Sequence, residues 1–233
     1  MKAFVVDLDS SENQSILKPI ARPFNNQAHQ INEAAKKIHE LIKNARYSND
    51  NIVLKRNEIK EAFFSPFKPQ LKNAQVFLSH SHADRNKALE VKGYLEEDLD
   101  AECVFIDSLF WDYKDDVLNK LAEYAEYDDN DISVIEDAFT LILRESLQDM
   151  IEKCPYFVFL QSKNSVSLNQ GLSRITYSAW IYEELRIAHS ISAISESRPI
   201  PMMESFQASH DISPFLEHLE TITLKKLSQQ INS

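Results

Sequence analysis

From Ala74 onwards, short apolar runs alternate with stretches of helical periodicity. AQVFLS (74–79), AECVFID (101–107), PYFVFLQ (155–161) and RPIPMM (198–203) each have the length and composition of a strand. The first two are separated by HADRNKALEVKGYLEEDL, which lines up Ala88, Val91, Leu95 and Leu99 on one helical face. Between the second and third lies a long insertion, with helical patterns at DVLNKLAEYAEY and DISVIEDAFTLILRESLQDMIEKC. After the third run come a loop and a helix carrying SAWIYEELRIAHS. Continuous apolar strands alternating with helices predict a parallel sheet covered on both faces. In that architecture ligands sit beyond the carboxyl ends of the strands. The residues to inspect are therefore Ser79, His80 and Ser81, then Asp107 and Ser108, then Ser162 to Ser165 with Asn164 among them.

The first 72 residues have a different texture. A short apolar start (Phe4, Val5, Val6) leads past Pro19 and Pro23 to an amphipathic stretch, where Ile31, Ala34, Ala35, Ile38, Leu41 and Ile42 recur at helical spacing. RNEIKEAFF predicts a second short helix, and Pro66 and Pro69 mark a linker. The expected organisation is a mainly helical N-terminal extension and linker over 1–72, then an α/β domain over 73–233 with a helical insertion at about 112–153. The extension carries no evident chemistry; packing against the main domain or a partner is its expected role.

Composition narrows the function. A net charge of −11 argues against non-specific binding to nucleic acid or anionic membranes, and no apolar stretch is long enough to span a bilayer. A cytoplasmic protein is expected, and Cys103 and Cys154, both beside apolar runs, read as reduced core thiols. With only Gly93 and Gly171 in the chain, glycine-rich phosphate loops of the Rossmann and P-loop types are excluded.

Several stretches carry candidate chemistry. In FLSHSHAD a strand runs into a helix N-terminus, a place that favours phosphate or carboxylate; the ordinary alternative is that a serine or Asp84 caps the helix. Its two histidines lack further Cys/His partners nearby, so no zinc site is expected. In FIDSLFWDY, Phe110 and Trp111 follow Asp107 as loop aromatics that stack on a base, contact a partner, or are buried by the insertion. DDNDISVIEDAFT lacks the turn glycine and the terminal glutamate of an EF-hand, and no metal is expected there. In SAWIYEEL, residues four apart share a helical face while neighbours point roughly 100° apart. Trp180 and Glu184 therefore align, and Glu183 faces elsewhere. A carboxylate held beside an indole and shielded from water can steady an oxocarbenium ion or orient a sugar hydroxyl, the chemistry of glycosidic bond cleavage. Alone, the same pattern fits a core tryptophan and two surface glutamates.

The motifs do not stand alone. VFLSHSHAD, CVFIDSLFW, CPYFVFLQSKNS and SAWIYEEL, in this order, resemble the Toll/interleukin-1 receptor (TIR) domain in its bacterial form, over roughly residues 74–233 or about two-thirds of the chain. The resemblance implies a flavodoxin-like sheet of about five parallel strands. It also implies cleavage of the nicotinamide–ribose bond of NAD⁺, a substrate rather than a cofactor, with the glutamate of a Trp-x-x-x-Glu motif essential. That residue is Glu184, with Trp180 as its partner. Ser79, His80 and Ser81 would line the phosphate and ribose side, and the loop after Asp107, with Phe110 and Trp111, would complete the site or contact a neighbouring copy. No counterpart exists for residues 1–72, and the insertion after Trp111 is longer than in receptor-type domains. The expected function is release of nicotinamide to give ADP-ribose, a cyclic ADP-ribose or a related signal in bacterial antiviral defence, with TIR–TIR assembly and a separate effector protein as partners. The alternatives are a non-catalytic TIR adaptor and a nucleoside transferase.

Overall fold

A computed structural model describes residues 1–19, 28–44, 55–65, 72–99, 103–106, 116–123, 129–168, 173–192 and 209–232. The chain divides into two compact units, one of Met1–Ala21, Asn73–Ser108 and Gln148–Ser233, the other of Arg22–Lys72 and Leu109–Leu147.

The first unit is built on five parallel strands: β1 (Lys2–Asp7), β2 (Val76–Ser79), β3 (Val104–Ile106), β4 (Tyr156–Gln161) and β8 (Glu220–Thr221). Their order across the sheet is β3-β2-β4-β1-β8. Every residue of β2 and Phe157 to Leu160 of β4 is buried, as a sheet covered on both faces requires. Phe77 sits in register with Phe105 on one side and Phe157 on the other, each ring 5.9 Å away, so one aromatic row ties three strands together. The expected parallel α/β fold is present, and it is compatible with a flavodoxin-like sheet. Helices α4 (Arg85–Leu99), which packs on β3, and α6 (Ala179–Ser192), which packs on β1, belong to it, as do the one-turn α7 (Ser213–Leu216) and α8 (Leu224–Ile231). A small antiparallel sheet of β5 (Ser167–Leu168), β6 (Arg174–Thr176) and β7 (His210–Asp211) leads into and out of α6. Among the described residues no helix is long and apolar enough to cross a membrane.

The N-terminus corrects the expected boundary. Residues 2–7 are not extension but β1, paired along its whole length with β4 and also with β8. Phe4, Val5 and Val6 are buried there, because an interior strand of a parallel sheet must be apolar on both faces. Asn13 of α1 (Ser11–Ile16) secures the connection: its amide donates to the Asp7 carbonyl (2.8 Å) and its oxygen accepts the Leu224 N–H at the start of α8 (2.9 Å). The expected strand RPIPMM lies outside the described residues, and the place beside β4 belongs to β1.

The second unit is helical. α2 (Ala28–Lys43) buries Ala34, Ala35, Ile38 and Ile42, as its periodicity predicted, while Leu41 is only half-buried. It packs on α3 (Arg56–Phe64), whose Phe63 meets Phe139 edge-on at 5.9 Å. Phe139 lies on α5 (Asp129–Lys153), the long helix foreseen in the insertion.

At the β3 end of the sheet, Glu96 accepts the Val104 N–H (3.0 Å), Lys92 donates to the Val104 carbonyl (2.7 Å), and the two side chains pair with each other. An edge strand so occupied offers no free ladder at that residue. Glu96→Ala strands Lys92 and the Val104 N–H, and is expected to cost about 1–3 kcal/mol in urea unfolding. A chain starting at Leu17 is expected to lose its cooperative unfolding transition, followed by circular dichroism. A dispensable extension would leave that transition intact.

Candidate functional site

The sheet order creates a switch point. From β2 the chain moves to β3 on one side, then crosses back so that β4 lies on the other side of β2. Connections that depart in opposite directions open a crevice at the carboxyl ends of the two strands, here β2 and β4. Ser79 ends β2, and Ser162 follows β4.

Glu184 reaches the end of β2 from α6. Ser178 caps that helix by accepting the Ile181 N–H (3.2 Å), and its own N–H goes to Thr176 Oγ1 (3.2 Å). The buried residues of α6 are Ile181, Glu184, Leu185, Ile187 and Ala188, so the glutamate occupies an otherwise apolar face. Its side chain is 0% exposed, and Ser79 Oγ donates to Oε2 at 2.5 Å. Glu183 turns to the side and takes a two-pronged ion pair with Arg186 (2.6 and 2.8 Å), which raises the guanidinium pKa. The two neighbouring glutamates thus have separate fates, as the helical-face argument required. Trp180, one turn before Glu184, is half-buried.

His80 is buried directly after β2, and Ser81 is half-buried at the entry to a short 3₁₀ turn, His82–Asp84. The Ser81 side chain does not cap that turn. Asp84 is no local cap either. It is 2% exposed, and its carboxylate accepts from the Ser162 hydroxyl and from the Asn164 amide (2.8 Å), joining the lip after β2 to the lip after β4. Sequence reasoning named Asp84 only as a cap, since Ser-x-x-Asp before a helix has that local signature.

The turn after β4 is internally bonded. Ser162 Oγ accepts the N–H groups of Asn164 (2.9 Å) and Ser165 (3.3 Å), and Ser165 Oγ accepts the Ser162 N–H (2.8 Å). From the other side Asp9, just beyond β1, accepts the Lys163 N–H (2.9 Å) and pairs with Lys87 (3.3 Å). These contacts, the Lys163 N–H foremost, hold the Asp9 carboxyl below its usual pKa.

The structure therefore brings Ser79 to Glu184 directly and joins Ser162 and Asn164 through Asp84. Asp107, Ser108, Phe110 and Trp111 lie outside the described residues. Among the described residues no group of three or more His, Cys, Asp or Glu side chains is placed to hold a metal. A buried carboxylate beside a hydroxyl at a switch point can accept bonds from ligand hydroxyls and stabilise positive charge. Comparison with family models, with curated proteins and with solved structures finds no match for this chain.

Thiol chemistry has no place in this site. Burial pushes the Cys154 thiol up to about 12 and raises that of Cys103 as well. Neither is expected to react with a thiol-specific disulfide reagent in the native protein at pH 8, and both are expected to react once urea unfolds it.

Proposed function

We propose that the chain is a TIR-type enzyme that cleaves the nicotinamide–ribose bond of NAD⁺ in the crevice between β2 and β4. One observation carries this reading: Glu184, the glutamate of Trp-x-x-x-Glu, is withdrawn from solvent at the switch point and bonded to Ser79. A helix that needed only a packing residue at that position would carry an aliphatic side chain, since a buried carboxylate is costly unless hydrogen-bonded. The order of the four motifs along the chain supports the same family.

In the proposed reaction Glu184 binds the ribose hydroxyls and faces the positive charge that grows at the anomeric carbon. The C1′–N bond breaks with its electron pair going to the ring nitrogen, so nicotinamide leaves neutral and needs no general acid. Water then adds at C1′ and loses a proton to give ADP-ribose, or a nucleophile within the same molecule closes a ring. Ser79 holds the carboxylate in place, and under this reading Trp180 and His80 would contact the substrate beside it. The product would act in antiviral defence, as a signal to a separate effector protein or through NAD⁺ loss, and TIR–TIR assembly would complete the site.

Purified protein at high concentration, incubated with NAD⁺ and followed by chromatography and mass spectrometry, is expected to release nicotinamide. Glu184→Gln should lower turnover by at least about 100-fold, the scale set by removal of one electrostatic stabiliser. Full activity in Glu184→Gln would remove Glu184 from the chemistry. A wild-type protein inert even under conditions that force assembly would point to the adaptor instead.

A further inference from the structure

We propose that Asp84 is a positioning residue that locks the two lips of the crevice together through Ser162 and Asn164. Its catalytic meaning rests on the NAD⁺-cleaving function proposed above, but the lock itself stands on geometry alone. Asp84 is buried, yet it spends neither oxygen on its own helix: one accepts from Ser162 Oγ, the other from the Asn164 amide. Those partners lie 78 and 80 residues further along the chain, on the far side of the switch point. The Ser162 hydroxyl is itself the acceptor for two N–H groups of its turn, so the carboxylate sets the orientation of the hydroxyl that shapes the turn. Ser162 and Asn164 then act on a ligand indirectly, by fixing where the wall stands. Asp9 steadies the same turn through the Lys163 N–H, which brings the N-terminal strand into the construction of the wall.

The pair Asp84 and Asn164 permits an exchange test. Asn164→Asp sets two carboxylates face to face where an amide now donates, and like charges so close repel. In the double variant Asp84→Asn with Asn164→Asp, the new amide donates to the new carboxylate and its oxygen still accepts from Ser162, so both bonds return. Steady-state NAD⁺ cleavage would be measured for wild type and the two variants, with the folded fraction checked by circular dichroism. Asn164→Asp is expected to lower kcat/KM at least about tenfold, since a small displacement of a positioning wall costs that much or more. The loss should appear in KM, because Glu184 and Ser79 are untouched, whereas partial unfolding would lower apparent kcat alone. The double variant should recover to within about threefold of wild type, in keeping with a restored pair.

Wild-type kinetics in Asn164→Asp, or a double variant as poor as the single one, would overturn the lock. The amide exchange rates of Asn164 and Ser165 provide the arm that needs no substrate. They should rise in Asn164→Asp and fall back in the double variant, and unchanged rates would also overturn the lock. A wild type that releases no nicotinamide would sink the proposed function, leaving the exchange rates to decide on the lock.

Discussion

The bond between Ser79 and Glu184 is the constraint on which the site depends. A carboxylate at an apolar position of a helix loses most of its hydration, a penalty of several kcal/mol in real proteins, and it is held only where strong donors replace the water. Ser79 is one such donor, and it lies 105 residues away in the chain, at the end of β2. The bond therefore fixes the rotation of α6 about its axis relative to the strand ends. Once that rotation is set, Ile181, Leu185 and Ala188 fall into the core, and Glu183 and Arg186 fall together on the flank. A leucine at position 184 would satisfy the packing more cheaply, so packing does not explain the carboxylate. A desolvated ionisable group at a switch point is a candidate functional residue on physical grounds.

The sheet beneath that bond depends on a strand from the other end of the chain. β4 is apolar on both faces and needs a partner on each side; β2 supplies one and β1 the other. β8 contributes only two residues, on the outer side of β1. The N-terminus thus has a double task. Its strand completes the interior of the sheet, and the residues just beyond it, Asp9 above all, reach the turn after β4. An extension of independent structure would do neither.

Long apolar runs were the legible part of the fold. β2, β3, β4, the helix that follows β2 and the helix bearing Glu184 were each visible as a strand-length run or a helical stripe, because tertiary burial on both faces leaves a composition that local pattern cannot hide. β1 was visible as an apolar run but not as part of the sheet. Six residues do not announce a partner 154 positions away, and the helices that follow lent the whole segment a helical cast. β8 was not visible at all, since two exposed polar residues carry no strand signal. In the site, the helical spacing of Trp180 and Glu184 separated the two glutamates correctly. Asp84 was not separable from a cap, because its local spacing is that of a cap and its real partners are distant.

Glycine usage bears on what this crevice can recognise. Nucleotide sites at switch points commonly rely on glycine-rich turns whose N–H groups point at phosphate. Here the chain has two glycines, Gly93 and Gly171, and neither belongs to residues 80–84 or 162–165, the described turns after β2 and β4. The turn after β4 instead directs the N–H groups of Asn164 and Ser165 at its own Ser162 hydroxyl, and the N–H of Lys163 at Asp9. Amides engaged in this way are not a cradle for phosphate. Under the proposed function, the turn after β4 contributes to recognition through its side chains rather than these three amides, and the buried carboxylate serves the ribose end of the dinucleotide. A cleft that selects through Glu184 and a rigid polar turn suits a bond broken at the ribose better than a transfer of phosphoryl groups, which requires donors arrayed around phosphate oxygens.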